Sequence, residues 1–214
     1  MKNKSAFTLI ELVFVIIILG ILASLAMGRM DRDLKQEASE TILSHIRLAQ
    51  QLALTDNKHR ADNDGRWQTA YWQFGFRRCG TDIAYRVGSD ISLGGNGVNG
   101  IGATEGAIDP IDGKYLRTAS CSENATDESP SVLVTKKYGI LNSGVVNSGG
   151  CTGRGVAFDY LGRPHSGQTY SNPEFSKIMT EDCNFTFTMS DGDTFSIIIE
   201  NETGYSYIEG KENS

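Results

Sequence analysis

Few of the 214 residues have types and spacings that could carry chemistry. Glu11 is the single charged residue in the run FTLIELVFVIIILGILASLAM, residues 7–27. A carboxylate inside so apolar a run is costly in a bilayer, and a simple anchor gains nothing from it. Glu11 therefore reads as an acid awaiting a cationic partner within the membrane. The plain alternative is an acid tolerated at headgroup level. The four cysteines, Cys79, Cys121, Cys151 and Cys183, form no C-x-x-C pair, which argues against a zinc ribbon or a thioredoxin-like site. Their even number fits two disulfides in an oxidising compartment. Three connectivities are open. Cys79–Cys121 with Cys151–Cys183 is favoured because each bond would staple a loop-rich insertion between strands. Closing loops of this size adds roughly 3–4 kcal/mol in the chain-entropy model. Four buried thiols are the alternative.

The remaining candidates are weaker. The three histidines, His45, His59 and His165, are far apart. No nucleophile–base–acid arrangement stands out, so no catalytic residue, metal or cofactor is assigned. Asp109, Asp112, Asp191 and Asp193 could offer oxygen to calcium, but no loop has EF-hand spacing. Gly95 to Gly100 match G-x-G-x-x-G without the flanking strand and helix that a dinucleotide needs, and read as a flexible loop. Trp67, Trp72, Arg77 and Arg78 could make an aromatic-basic surface for DNA. Core aromatics on a strand beside solvated arginines are the simpler reading. A net charge of −6 does not favour nucleic acid as a partner.

These residues need elements to position them. At 1.5 Å per residue, residues 7–27 reach about 30 Å, the thickness of a bilayer core. Lys2 and Lys4 precede the run and predict a cytoplasmic start. The helical pattern then continues. Leu34, Ala38, Ile42, Ile46, Ala49 and Ala53 recur at steps of three or four, one stripe of an amphipathic helix. No proline occurs before Pro110. A continuous helix from Phe7 to about Leu54 would be roughly 70 Å long, with Gly20 and Gly28 as points where it could bend. After Asp56 the period changes. Strands are predicted over 67–77, 82–87, 131–137, 184–190, 194–200 and 205–208, the last three as an antiparallel meander, and 155–164 reads as a strand running into a turn. Residues 88–130 read mainly as a long loop with a short element near 114–116. The fold class is α+β: a long amino-terminal helix, membrane-spanning in its first half, packed on an antiparallel β-sheet domain. The expected division is 1–6 leader, 7–27 transmembrane segment, 28–56 amphipathic continuation and 57–214 β-rich domain.

Ala6-Phe7-Thr8-Leu9-Ile10-Glu11-Leu12 resembles the processing site of class III signal peptides, found in type IV pilins and type II secretion pseudopilins. The resemblance implies cleavage by a prepilin peptidase between Ala6 and Phe7, N-methylation of Phe7, and pairing of Glu11 with the amino terminus of a neighbouring subunit. Ala6 stands where the family usually has Gly. The tail V-A-F-D-x-x-G-R-P, with Gly162, Arg163 and Pro164, is similar to minor pseudopilins of the GspH/FimT type. Thr203-Gly204-Tyr205 stands in place of that family's terminal Gly-Arg. Gly162 and Pro164 could also simply make a turn.

The resulting expectation is a minor pilin or pseudopilin with the pilin fold and no enzymatic activity. It would be single-pass in the bacterial inner membrane with a periplasmic carboxyl-terminal domain, then assembled into a pilus or pseudopilus. Its partners would be other pilin or pseudopilin subunits, the prepilin peptidase and the membrane. A major shaft-forming pilin and a DNA-uptake minor pilin are alternatives. Gly28, where many type IVa pilins have a kinking proline, leans away from the first. A secreted β-domain with an ordinary signal ending at Ser24-Leu25-Ala26 is the rival from another class.

Overall fold

The computed structural model describes residues 8–56, 58, 67, 70–92, 100–167 and 177–212, with the backbone alone for 25–33. Helix α1 (Leu9–Thr55) is one piece of 47 residues, about 70 Å at helical rise. It starts where a reciprocal cap is encoded. Thr8 Oγ1 accepts the Glu11 N–H at 3.4 Å, and Glu11 Oε2 accepts the Thr8 N–H at 2.8 Å, which satisfies donors that the first turn leaves open. It ends at Asp56, whose backbone is extended.

The strands are β1 (Trp72–Cys79), β2 (Asp82–Ser89), β3 (Ile140–Gly149), β4 (Gly155–Phe158), β5 (Pro164–Ser166), β6 (Cys183–Met189), β7 (Thr194–Ile199) and β8 (Ser206–Ile208). They form two four-stranded sheets of order β2-β1-β4-β5 and β3-β6-β7-β8, every pairing antiparallel. The core lies between these sheets and the second half of α1. Ala38, Ile42, Ile46, Ala49 and Ala53 are buried there, while Leu34, at the head of the stripe, is 38% exposed. β6 alternates buried and half-buried positions along its whole length, as a strand with one face on a core must. The two sheets meet through aromatic rings: Phe76 stands edge-on to Phe185 at 5.5 Å and to Phe187 at 5.7 Å. Edge-on geometry suits the ring quadrupoles.

Three expectations need correction. Residues 131–137 are not a strand. They form a 3₁₀ turn (Pro130–Val132) and a short helix α2 (Val134–Tyr138). Pro130 presets φ at the first position, Ser129 caps the Ser131 N–H, and Gly139 ends the helix at φ 73°. Val134 and Tyr138 are buried while Lys136 and Lys137 are exposed, a helical rather than a two-residue period. β3 was not foreseen. Its register shifts between Ile140 and Val145, and such an irregularity hides the alternation that marks a strand. β1 begins at Trp72 rather than residue 67.

The stretch between β2 and α2 contains no strand of its own among the described residues, yet it is packed. Ala107 N–H donates to Val87 O at 2.9 Å and Val87 N–H to Leu116 O at 2.8 Å, and Ile101, Ala107 and Leu116 are buried. Disulfides join Cys79 to Cys121 and Cys151 to Cys183. The first ties this stretch to the end of β1, and the second ties β6 to the turn after β3.

Candidate functional site

The first turn of α1 gathers the chemistry of the amino terminus. Glu11 Oε2 accepts both the Thr8 N–H and, at 2.9 Å, the Thr8 hydroxyl. The carboxylate is thus held back over the helix start, where the positive end of the helix dipole lies. Around it every described side chain from 8 to 24 is exposed, Leu9 to 82%. Ala6 and Phe7, the expected cleavage and methylation positions, lie outside the described residues. Among the described residues no helix is long and apolar enough to cross a membrane. The expected span, 7–27, begins before those residues and ends where only backbone is described.

The second half of α1 is seated on the domain by polar contacts as well as by its apolar stripe. His45 Nδ1 is 2.6 Å from the Tyr85 hydroxyl, and His45 Nε2 is 3.7 Å from Asp109 Oδ2. Burial pushes His45 below its ordinary value, with Asp109 opposing. Burial also pushes Tyr85 well up. For Asp109, burial works upward, but bonds from the Ile111 N–H and the Ser129 and Ser131 hydroxyls, with the His45 charge, hold it below the usual carboxylate range. Arg47 donates twice to Ser206 O, at 3.0 and 2.7 Å, and lies over the Tyr205 ring at 5.5 Å. Gln50 Nε2 donates to Gly162 O at 3.0 Å and to Thr203 O at 2.7 Å.

Leu54 and Gln50, on the last turns of α1, explain why the two tail motifs need glycine. Gly162 has φ 76°, and a Cβ there would lie 2.9 Å from Leu54 Cδ2. Gly204 has φ 69°, and a Cβ there would lie 2.6 Å from Gln50 Nε2. Both turns press on the last turns of α1. The first is built on Asp159, a buried carboxylate that accepts the Leu161 and Arg163 N–H groups at 2.9 and 3.0 Å, the Arg163 guanidinium at 2.9 and 2.8 Å, and His165 Nε2 at 3.1 Å. Burial works to raise Asp159, but His165 and Arg163 together hold it low. The V-A-F-D-x-x-G-R-P segment is therefore a hydrogen-bonded turn that docks on α1.

The other sequence candidates separate. Trp72 and Arg77 stand on opposite faces of β1. The Trp72 indole donates to Asp56 at 2.9 Å beneath the Lys58 ammonium, whereas Arg77 donates to Ala119 O at 2.8 Å. They do not form one surface. Asp109 and Asp112 both accept Ser129 Oγ, and Asp191 accepts the Asp193 N–H. Among the described residues no group of three His, Cys, Asp or Glu side chains could hold a metal. Of the glycine-rich segment only Gly100 is described. His45 and Gln50 were missed in the sequence. The available signal for His45 was its place on the same helical face as Ile42, Ile46 and Ala49.

The family model for the prokaryotic N-terminal methylation motif matches residues 1–27. The chain thus carries a pilin-type prepilin signal ahead of an α+β domain whose helix packs on antiparallel sheets. No curated protein and no solved structure matches the chain. The motif points to a structural subunit rather than to an enzyme family.

Proposed function

We propose that this chain is a minor pilin or pseudopilin of the GspH/FimT type. A prepilin peptidase cuts it between Ala6 and Phe7, and Phe7 is N-methylated. Residues 7–27 hold it in the bacterial inner membrane, with the domain in the periplasm. It then joins related subunits in a type IV pilus or a type II secretion pseudopilus. The observation that carries this reading is the division of α1. It begins inside the methylation motif with apolar side chains exposed on all sides, and it ends buried along one stripe of the domain. An all-round apolar surface needs lipid or other helices as its solvent. The two disulfides suit an oxidising compartment. The turn at Gly162, Arg163 and Pro164, clasped by Gln50, favours the minor subtype.

In this reading Glu11 meets the terminal amine of a neighbouring subunit, because in a low-dielectric bundle each charge is costly without the other. Mass spectrometry of the protein from cells with an active prepilin peptidase is expected to find a methylated Phe7 as the first residue. A chain still beginning at Met1, or beginning at Met27, overturns the reading. Low abundance in sheared filaments is expected of a minor subunit, and dominance there would mark a major pilin instead.

A further inference from the structure

Each of the two sheets ends in two edge strands, and an open edge presents backbone donors and acceptors to any strand that meets it. Three of these edges are covered by the chain itself. Beside β2, the Ala107 N–H donates to Val87 O and the Val87 N–H to Leu116 O. Beside β5, the Met179 N–H donates to Pro164 O at 3.0 Å. Beside β8, Arg47 donates twice to Ser206 O. The remaining edge is β3, the longest of the described strands at ten residues. It pairs with β6 alone, and among the described residues no bridge closes its other side.

The ladder fixes which backbone groups face outward. In an antiparallel pair, alternate residues turn both their N–H and C=O to the same neighbour. The Gly150 N–H donates to Asp182 O at 2.9 Å, one step beyond the pair Gly149 and Cys183. Counting back by twos, Ser148 and Val146 bond to Asn184 and Thr186 of β6. The bond from the Met189 N–H to Asp193 O agrees, since it gives Phe187 and Phe185 to β7. Val145 and Asn147 therefore aim both backbone groups away from β6, and neither backbone has a partner on that side among the described residues. Between them the Val146 side chain is 56% exposed. The usual guards of an edge are missing. No Lys, Arg, Asp, Glu or Pro occurs from 138 to 153, where a charge or a proline would deter a partner. The register shift irregularises only the stretch before Val145.

We infer that this edge pairs with the same edge of a second copy, antiparallel about a two-fold axis at Val146. A two-fold interface must be self-complementary, and this one is. Val145 of each copy lies opposite Asn147 of the other, and the two exchange both bonds, so the open backbone groups of both residues find partners. Val146 meets Val146 of the other copy as a non-hydrogen-bonded pair, the kind that brings side chains closest, and the two exposed valines cover each other. No charge within the strand faces its like across the axis, which matters in a chain of net charge −6. The two β3-β6-β7-β8 sheets become one continuous sheet. The inference does not rest on the assembly reading, which concerns α1.

The test uses the full chain in detergent, one helix to a micelle, so that the domains meet freely. Amide hydrogen exchange at Val145 and Asn147 is followed by NMR over a dilution series. Both amides are expected to slow about tenfold or more on concentrating and to recover on dilution. The Val146 amide, bonded to β6, is expected to stay protected throughout. Val146→Lys sets a charge against its like across the axis. It is expected to abolish the slowing at an unchanged thermal midpoint, because the side chain it replaces faces solvent. Amides that exchange fast at every concentration overturn the inference, whether the copies meet through α1 instead or the edge takes a strand from a different protein. Amides that stay slow at every dilution overturn it too, since the chain then covers its own edge. So does a Val146→Lys protein with the wild-type response. Should that variant fail to fold, the wild-type dilution series decides.

Discussion

The two halves of α1 are one unbroken helix in two different surroundings. From 8 to 24 every described side chain is exposed. From Ala38 to Ala53 one stripe is sealed against two sheets, and His45, Arg47 and Gln50 reach out of the same half to Tyr85, Ser206, Gly162 and Thr203. Leu and Ile dominate the first half, yet they contribute nothing to the domain's own stability. Hydrophobic residues stabilise a fold only by what covers them. The second half needs fewer apolar residues because those of its stripe from Ala38 to Ala53 are covered.

The sharpest way to break this contrast is to shorten matched isoleucines. Ile46→Ala removes a fully buried side chain and is expected to cost about 2–4 kcal/mol in urea unfolding. Ile17→Ala, in the exposed half, is expected to stay within about 0.5 kcal/mol of wild type. Equal losses would mean that the first half also packs on the domain. Gly204→Ala tests the clasp at the helix end. A side chain at φ 69° that also meets Gln50 is expected to cost about 1–3 kcal/mol, measured in the same assay.

Acid titration probes the seat of the helix next. His45 is held below its ordinary 6.5, so below pH 6.5 the unfolded chain takes up a proton that the folded chain refuses. The associated stability is complete above pH 6.5 and is lost as pH falls through the folded value. Urea midpoints between pH 7.5 and 5 are expected to fall, and His45→Gln is expected to flatten that fall. Asp109 and Asp159, both held below 3.8, add a second decline at lower pH. Their stability is present above 3.8 and lost as pH drops through their folded values. The smallest effect on folding is expected from Glu11→Ala. Its thermal midpoint stays at the wild-type value while recovery in sheared filaments drops, and undiminished recovery would remove the pairing role.

The long helix, the α+β class and the closing meander were legible because their signals are periodic. The stripe from Ala38 to Ala53 and the alternation of β6 can be read by counting. What escaped reading has local irregularities or partners distant in sequence. β3 hides behind its register shift. Residues 131–137 carry β-branched types, but Pro130 and Gly139 bound them as helix. Arg77 of β1 looked like solvated charge because Ala119, whose carbonyl receives it, lies 42 positions away in sequence. The Gly162 turn was visible as a motif. Its purpose was not, since Gln50 lies 112 positions upstream.

The doubled bond between Glu11 and Thr8 has a consequence for how the helix could change company. The acid already has a companion inside its own chain, so a newcomer's cation does not find a bare anion but must share or displace the local one. Docking of that kind exchanges one set of contacts for another of similar kind. In the proposed assembly that exchange would depend on Thr8 as well as on Glu11.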